Sequence, residues 1–143
     1  QIDRFPSGLN KITVLLDRFL TEGNKFSAKL LNDYRKMFEK TIQLLSDLFG
    51  NQAFCRRDRD GKHRGQATKI VYDPLMFVAS QYAQSPAHQV LVRGRDVLIA
   101  DLGAMYEQHD ALFSGRRTNS ADTQLRNERM KEVFGAALKK LKA

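Results

Sequence analysis

The sequence predicts an all-α fold, a bundle of about five helices with a long basic loop between the second and third helix. Apolar residues recur at three- and four-residue spacing through nearly the whole chain, which is the pattern of amphipathic helices. The breaks in this pattern hold glycine, asparagine, Asp-Pro or Ser-Pro, which end or begin helices. With 143 residues, 42% of them hydrophobic, residues 1–143 are expected to form a single helical domain with one core.

Two helices are predicted before the loop. The first covers about residues 7–21, and Gly23-Asn24 ends it because both residues tolerate left-handed backbone. The second covers about residues 27–49 and ends at Gly50, with a length of about 34 Å. Its apolar side is expected to consist of Leu30, Leu31, Tyr34, Met37, Phe38, Thr41, Ile42, Leu45, Leu48 and Phe49.

The remaining helices are predicted from their start signals. Asp73-Pro74 combines a capping carboxylate with a first-turn proline, so a short apolar helix is expected to begin there. Ser85-Pro86 repeats the signal for a helix that reaches about residue 108, and Gly94 is a point where this helix can divide. Ser120 is the expected N-cap of a last helix that runs to the C-terminus.

The net charge of +8 is concentrated in two segments. Residues 51–70 hold six basic and two acidic side chains, and residues 115–143 hold eight basic and three acidic ones. Residues 71–114, in contrast, hold two basic and five acidic side chains. Clustered cations of this kind favour an anionic partner, either nucleic acid or an acidic protein.

Nine cationic side chains are therefore the candidate nucleic-acid contacts: Arg56, Arg57, Arg59, Lys62, Arg64, Arg116, Arg117, Arg126 and Arg129. Glycines at 61 and 65 would let the loop backbone approach a phosphate closely. The alternative for the loop is a solvated segment in which Asp58 and Asp60 neutralise neighbouring arginines.

The second cluster also has two interpretations. Arg116 and Arg117 lie just ahead of a helix N-terminus, where free backbone amides favour anions. The alternative is that the last helix carries ordinary surface pairs, such as Arg129 with Glu132 at three-residue spacing. Both interpretations stay open at the level of the sequence.

Motifs for catalysis, metals and cofactors are absent from the sequence. Three histidines share no spacing that would place two on one helical face, and the single cysteine, Cys55, argues against a structural zinc site. There is no Walker-type loop, GxGxxG or GxSxG motif, so no cofactor or catalytic residue is assigned. An enzyme is only a third hypothesis, based on His109-Asp110 and the segment at 60–64.

The cellular setting follows from what the sequence lacks. No apolar run approaches the roughly 18 residues of a membrane span, so no membrane partner is expected. A lone cysteine fits a reducing cytoplasm. The start at Gln1, without an initiator methionine or apolar signal core, predicts a piece excised from or processed out of a larger chain.

One passage resembles a known family. Leu48-Phe49-Gly50-Asn51-Gln52-Ala53-Phe54, a basic loop and an apolar helix are similar to the N-terminal region of GmrSD-type restriction proteins, which contain a ParB-like domain. Arg95-Asp96 and the segment from Leu112 to Thr118 resemble a later part of that region, so the resemblance covers about residues 30–141. It implies that this chain is the helical part that follows the ParB-like subdomain.

The resemblance implies a role in bacterial restriction of foreign DNA, an antiviral defence, with this piece as scaffold and DNA-contact surface. The nucleotide-hydrolysing and nuclease motifs of the family would then lie outside this chain. The leading hypothesis is non-specific binding of the phosphate backbone, with duplex DNA or another domain of the same protein as partner. The alternative is a helical protein-interaction or oligomerisation module without nucleic-acid binding.

Overall fold

The computed structural model describes residues 12–114 and 119–142, and the side chains of residues 17–114 and 119–142. This part of the chain forms seven α-helices, a short 3-10 turn at Gly50–Gln52 and a two-stranded sheet. The helices are α1 (Ile12–Gly23), α2 (Ala28–Phe49), α3 (Lys69–Ser80), α4 (Ala87–Arg93), α5 (Arg95–Gln108), α6 (Asp110–Phe113) and α7 (Ser120–Lys142). A predominantly helical fold is confirmed. None of the described helices combines the length and the apolarity that a bilayer crossing requires.

The chain divides into two compact units, Gln1–Lys36 and Met37–Ala143. In the first unit, the hydroxyl of Ser27 accepts a hydrogen bond from the Leu30 amide (3.2 Å) at the start of α2. No side chain between residues 17 and 36 is buried. The extent of α2 agrees with the prediction, but the first half of its apolar side does not line a core.

The second unit builds its core around α7, which packs against α3, α4 and α5. Phe134 of α7 is fully buried and stacks on Tyr82, with ring centroids 5.8 Å apart. The second half of α2 contributes Leu44, Leu45 and Leu48, each at most 2% exposed. Burial of side chains of this size is the main source of stability of such a unit.

Helix α3 begins earlier than Asp73-Pro74 predicts. It starts at Lys69, after Thr68 in extended conformation, and Pro74 lies inside it. Proline has no amide to donate to the Ile70 carbonyl, which is the usual reason to place it in a first turn. The prediction was wrong because Val71 is completely buried, and packing of that side chain outweighs the local start signal.

The other boundaries follow the sequence closely. Ser85 Oγ accepts a hydrogen bond from the Ala87 amide (3.3 Å) at the start of α4. Gly94 separates α4 from α5, where a Cβ would overlap the side chain of Leu141. At the start of α7 the capping oxygen belongs to Asn119, which accepts from the Asp122 amide (2.8 Å), one residue before the predicted cap.

The predicted long loop contains an antiparallel hairpin. Strand β1 (Arg56–Arg57) pairs with β2 (His63–Arg64), so that Arg56 lies opposite Arg64. The turn between them uses Gly61 at φ 79°, a conformation that favours glycine. Strands of two residues are too short to show alternation in the sequence, which is why the pattern indicated only a loop.

The hairpin lies against α5 at Gly103. A Cβ at this position would overlap the backbone carbonyl of Asp58, so only glycine lets the helix and the hairpin approach this closely. The sequence signal at Gly103 was a single glycine within a helical pattern, which by itself does not identify the partner.

We expect Gly103→Ala to lower the free energy of unfolding by about 2 kcal/mol, because the added methyl group meets backbone that cannot turn aside. Gly135→Ala in α7 is the matched control, since nothing lies within 4 Å of its Cβ position. Alanine is favoured in a helix by about 1 kcal/mol, so this variant should keep or gain stability. Urea unfolding of both variants measures the difference, and equal stabilities would contradict the close approach at Gly103.

Candidate nucleic-acid interface

Arg57 is a buried residue of β1 rather than a surface cation. Its guanidinium donates to the carbonyls of Gly61 (3.0 Å), Phe49 (3.2 Å) and Gln52 (3.2 Å). The same group lies 5.2 Å from the centroid of the Phe49 ring. Burial lowers the pKa of Arg57 below its ordinary value, while three carbonyl acceptors favour the charged form. Arg57 thus fastens the hairpin to the end of α2.

Asp58 organises the hairpin turn from inside. Its Oδ1 accepts hydrogen bonds from the amides of Asp60 (3.1 Å) and Lys62 (3.0 Å). Its Oδ2 forms an ion pair with Arg64 Nη2 (3.2 Å). Asp58 therefore acts as the neutralising partner that the alternative interpretation of the loop expected, whereas the side chain of Asp60 forms no ion pair within the described residues.

The other two arginines of the hairpin region form ion pairs with two carboxylates, one in the last turn of α5 and one just after this helix. Arg56 Nη2 lies 2.6 Å from Asp110 Oδ1, and Arg59 Nε lies 2.6 Å from Glu107 Oε2. The hydrogen bond from Arg56, with a second from Ser114, lowers the pKa of the Asp110 carboxyl below its ordinary value. Sequence reasoning missed these partners because 54 residues separate Arg56 from Asp110.

An open groove of about 430 Å³ lies beside these ion pairs. Arg56 and Arg64 of the hairpin line it together with Asp110, Phe113 and Ser114. The Arg64 side chain is 73% exposed, so its guanidinium is accessible from solvent. The groove thus brings residues of the first basic cluster (residues 51–70) beside the chain segment that leads into the second basic cluster (residues 115–143).

Two of the predicted contacts, Arg116 and Arg117, lie outside the described residues. In the sequence they follow the groove residue Ser114 by two and three positions.

The predicted contacts on α7 have other roles. Arg126 is 4% exposed, and its Nε donates to the Leu112 carbonyl (2.9 Å), which ties α7 to α6. Arg129 Nη1 pairs with Glu132 (2.8 Å), the surface pair that the spacing suggested. Neither side chain lines the groove among the described residues. Lys140, near the end of α7, binds Asp101 of α5 (2.7 Å).

Lys62 differs from the arginines of the hairpin. Its side chain is exposed at the turn, and the described part of the chain offers it no ion-pair partner. Together with Arg59 and Arg64, it makes the tip of the hairpin a cluster of accessible cations. Among the predicted contacts within the described residues, the cations of this tip are the exposed ones.

Groups of three or more metal-ligating side chains are absent within the described ranges 12–114 and 119–142. Comparison with family models, with curated proteins and with solved structures finds no match to this chain.

Replacement of Arg57 by methionine is expected to lower the free energy of unfolding by about 3 kcal/mol, since three carbonyls lose their donor. Arg59→Met removes an arginine of the same hairpin whose ion pair is exposed, and should cost less than about 1 kcal/mol. Thermal and urea unfolding of the two variants give the comparison. Similar losses in both would show that Arg57 does not hold the hairpin in place.

Proposed function

We propose that this chain is the helical, basic module of a GmrSD-like restriction protein, and that it contacts the phosphate backbone of duplex DNA without reading base sequence. The groove beside the hairpin carries this proposal. Arg56 and Arg64 line it together with Ser114. Two cations that lie opposite each other on the paired strands thus line one surface, an arrangement that suits a phosphate.

The proposed contacts are the accessible cations of the hairpin. The side chains of Arg59 and Arg64 are 69% and 73% exposed although each is paired with a carboxylate. The pair of Arg59 with Glu107 is exposed on both sides and contributes only about 0–1 kcal/mol, so a phosphate can replace Glu107 at little cost. The exposed guanidinium of Arg64 can donate to a phosphate while it stays paired with the buried Asp58. Lys62 adds a third cation. Arg57 and Arg126 are buried and donate structural hydrogen bonds to backbone carbonyls.

Asp110 has a distinct role in this proposal, because it already holds the guanidinium that a phosphate would bind. It lies 2.6 Å from Arg56 and is itself 64% exposed at the groove. An incoming phosphate meets the repulsion of this carboxylate and competes with it for Arg56. Asp110 is thus an intramolecular competitor that weakens DNA binding.

Fluorescence anisotropy with two unrelated duplexes at several salt concentrations tests the proposal. The double variant Lys62→Ala/Arg64→Ala should weaken binding to both duplexes and reduce the slope of log affinity against log salt by about 2. Asp110→Asn should strengthen binding, because the competitor loses its charge while the shape of the side chain is kept.

The control variant removes two positive charges at a place away from the groove. Lys139 and Lys142 are exposed near the end of α7 and do not line the groove. Lys139→Ala/Lys142→Ala should leave most of the affinity intact. An equal loss in the two double variants would mean that net charge alone drives binding, and an unchanged affinity of Lys62→Ala/Arg64→Ala would overturn the assignment of the hairpin.

A further inference from the structure

An apolar stripe on the first half of α2 is exposed. Leu31, Met37 and Phe38 are 50%, 38% and 51% exposed, and Tyr34 between them is only partly buried. The same stripe continues along the second half of the helix, where Thr41, Leu44, Leu45, Leu48 and Phe49 are buried. The apolar spacing is the same in both halves, but the first half stays largely exposed, although the ring of Tyr34 contacts Phe26 (centroids 5.9 Å apart).

We propose that a second copy of this chain covers the stripe, with the two α2 helices antiparallel. Leu30, Tyr34 and Met37 are separated by four and three residues, the spacing of the seam between paired helices. In the pairing we propose, Tyr34 of each copy lies against Met37 of the other. A two-fold axis relates the copies, so each contact occurs twice.

The charges beside the seam select this register. Asp33 and Lys40 are seven residues apart and so occupy equivalent positions on one flank of the stripe. Both side chains are exposed, and the described residues offer neither an ion-pair partner. When Tyr34 faces Met37, Asp33 of each copy faces Lys40 of the other.

Neighbouring registers lose this complementarity. A shift by one heptad in one direction places Asp33 against Asp33, and a shift in the other direction places Lys40 against Lys40. Like charges in these positions repel each other. On the opposite flank, the selected register places Leu31 against Phe38 of the other copy, which extends the apolar contact.

The exposed length of α2 fits the same register. The exposed stripe runs from about Leu31 to Phe38, and Thr41 beyond it is 1% exposed. The axis of the proposed pair passes between Tyr34 and Met37, the middle of this stretch. An overlap of about eight residues is only about 12 Å long, so we expect a weak dimer with a dissociation constant in the micromolar range.

This association does not depend on DNA binding, because the stripe shares no residue with the groove or the hairpin. Sedimentation velocity of the full chain, from about 1 to 100 µM, should show a monomer that converts to a dimer with increasing concentration. Asp33→Lys and Lys40→Asp each replace attraction by repulsion at two symmetric positions and should weaken the dimer about tenfold.

A mixture of the two variants is the decisive experiment. In a heterodimer of Asp33→Lys with Lys40→Asp, both flanking pairs regain opposite charges, so the mixture should associate more tightly than either variant alone. Lys36→Glu/Glu39→Lys is the control, since these exposed residues lie on the opposite face of α2 and should not change the dimer.

Two outcomes would overturn the inference. A chain that remains monomeric over the whole concentration range lacks the dimer. A dimer that neither single variant weakens, or that mixing the variants does not restore, is held by another surface or in another register. Because both substitutions change exposed residues, circular dichroism should show unaltered folding in every variant.

Discussion

The buried guanidinium of Arg57 is the interaction on which the candidate site depends. A charged group removed from water is tolerated only if its donors find acceptors, and here the acceptors are backbone carbonyls of the end of α2, the 3-10 turn and the hairpin turn. Meeting that requirement brings three separate pieces of chain together. The close approach of α5 at Gly103 then holds the hairpin from its other side. The groove exists because these two constraints give the hairpin a defined position.

The distribution of charge has a different meaning in the folded chain than along the sequence. The acidic middle segment supplies Glu107 and Asp110, which bind arginines of the hairpin, and Asp101, which binds Lys140 of α7. Much of the basic excess is therefore neutralised between segments that are far apart in sequence. Among the predicted contacts in the described residues, the exposed cations are those at the hairpin tip, which form a weaker but more localised electrostatic feature than a net charge of +8 suggests.

The two halves of α2 illustrate the limit of periodicity. Local spacing predicted the extent of the helix and the direction of its apolar side, and α7 and the break at Gly94 followed from similarly local signals. The same spacing cannot distinguish a covered stripe from an exposed one, since coverage depends on elements elsewhere in the chain or in another molecule. Leu45 and Phe38 belong to one pattern, yet the former is 1% exposed and the latter 51%.

The sequence by itself determined the helical class, most helix boundaries and the presence of two basic clusters, because each depends on residues within a few positions of one another. Only the tertiary structure decided which cations are accessible. Arg57 and Arg126 became structural donors, and Arg56 acquired a counter-ion 54 residues away. The tertiary structure also contains a hairpin where the sequence predicted a loop. The physical reason is that burial and ion pairing are set by contacts distant in sequence, and short-range patterns carry no information about them.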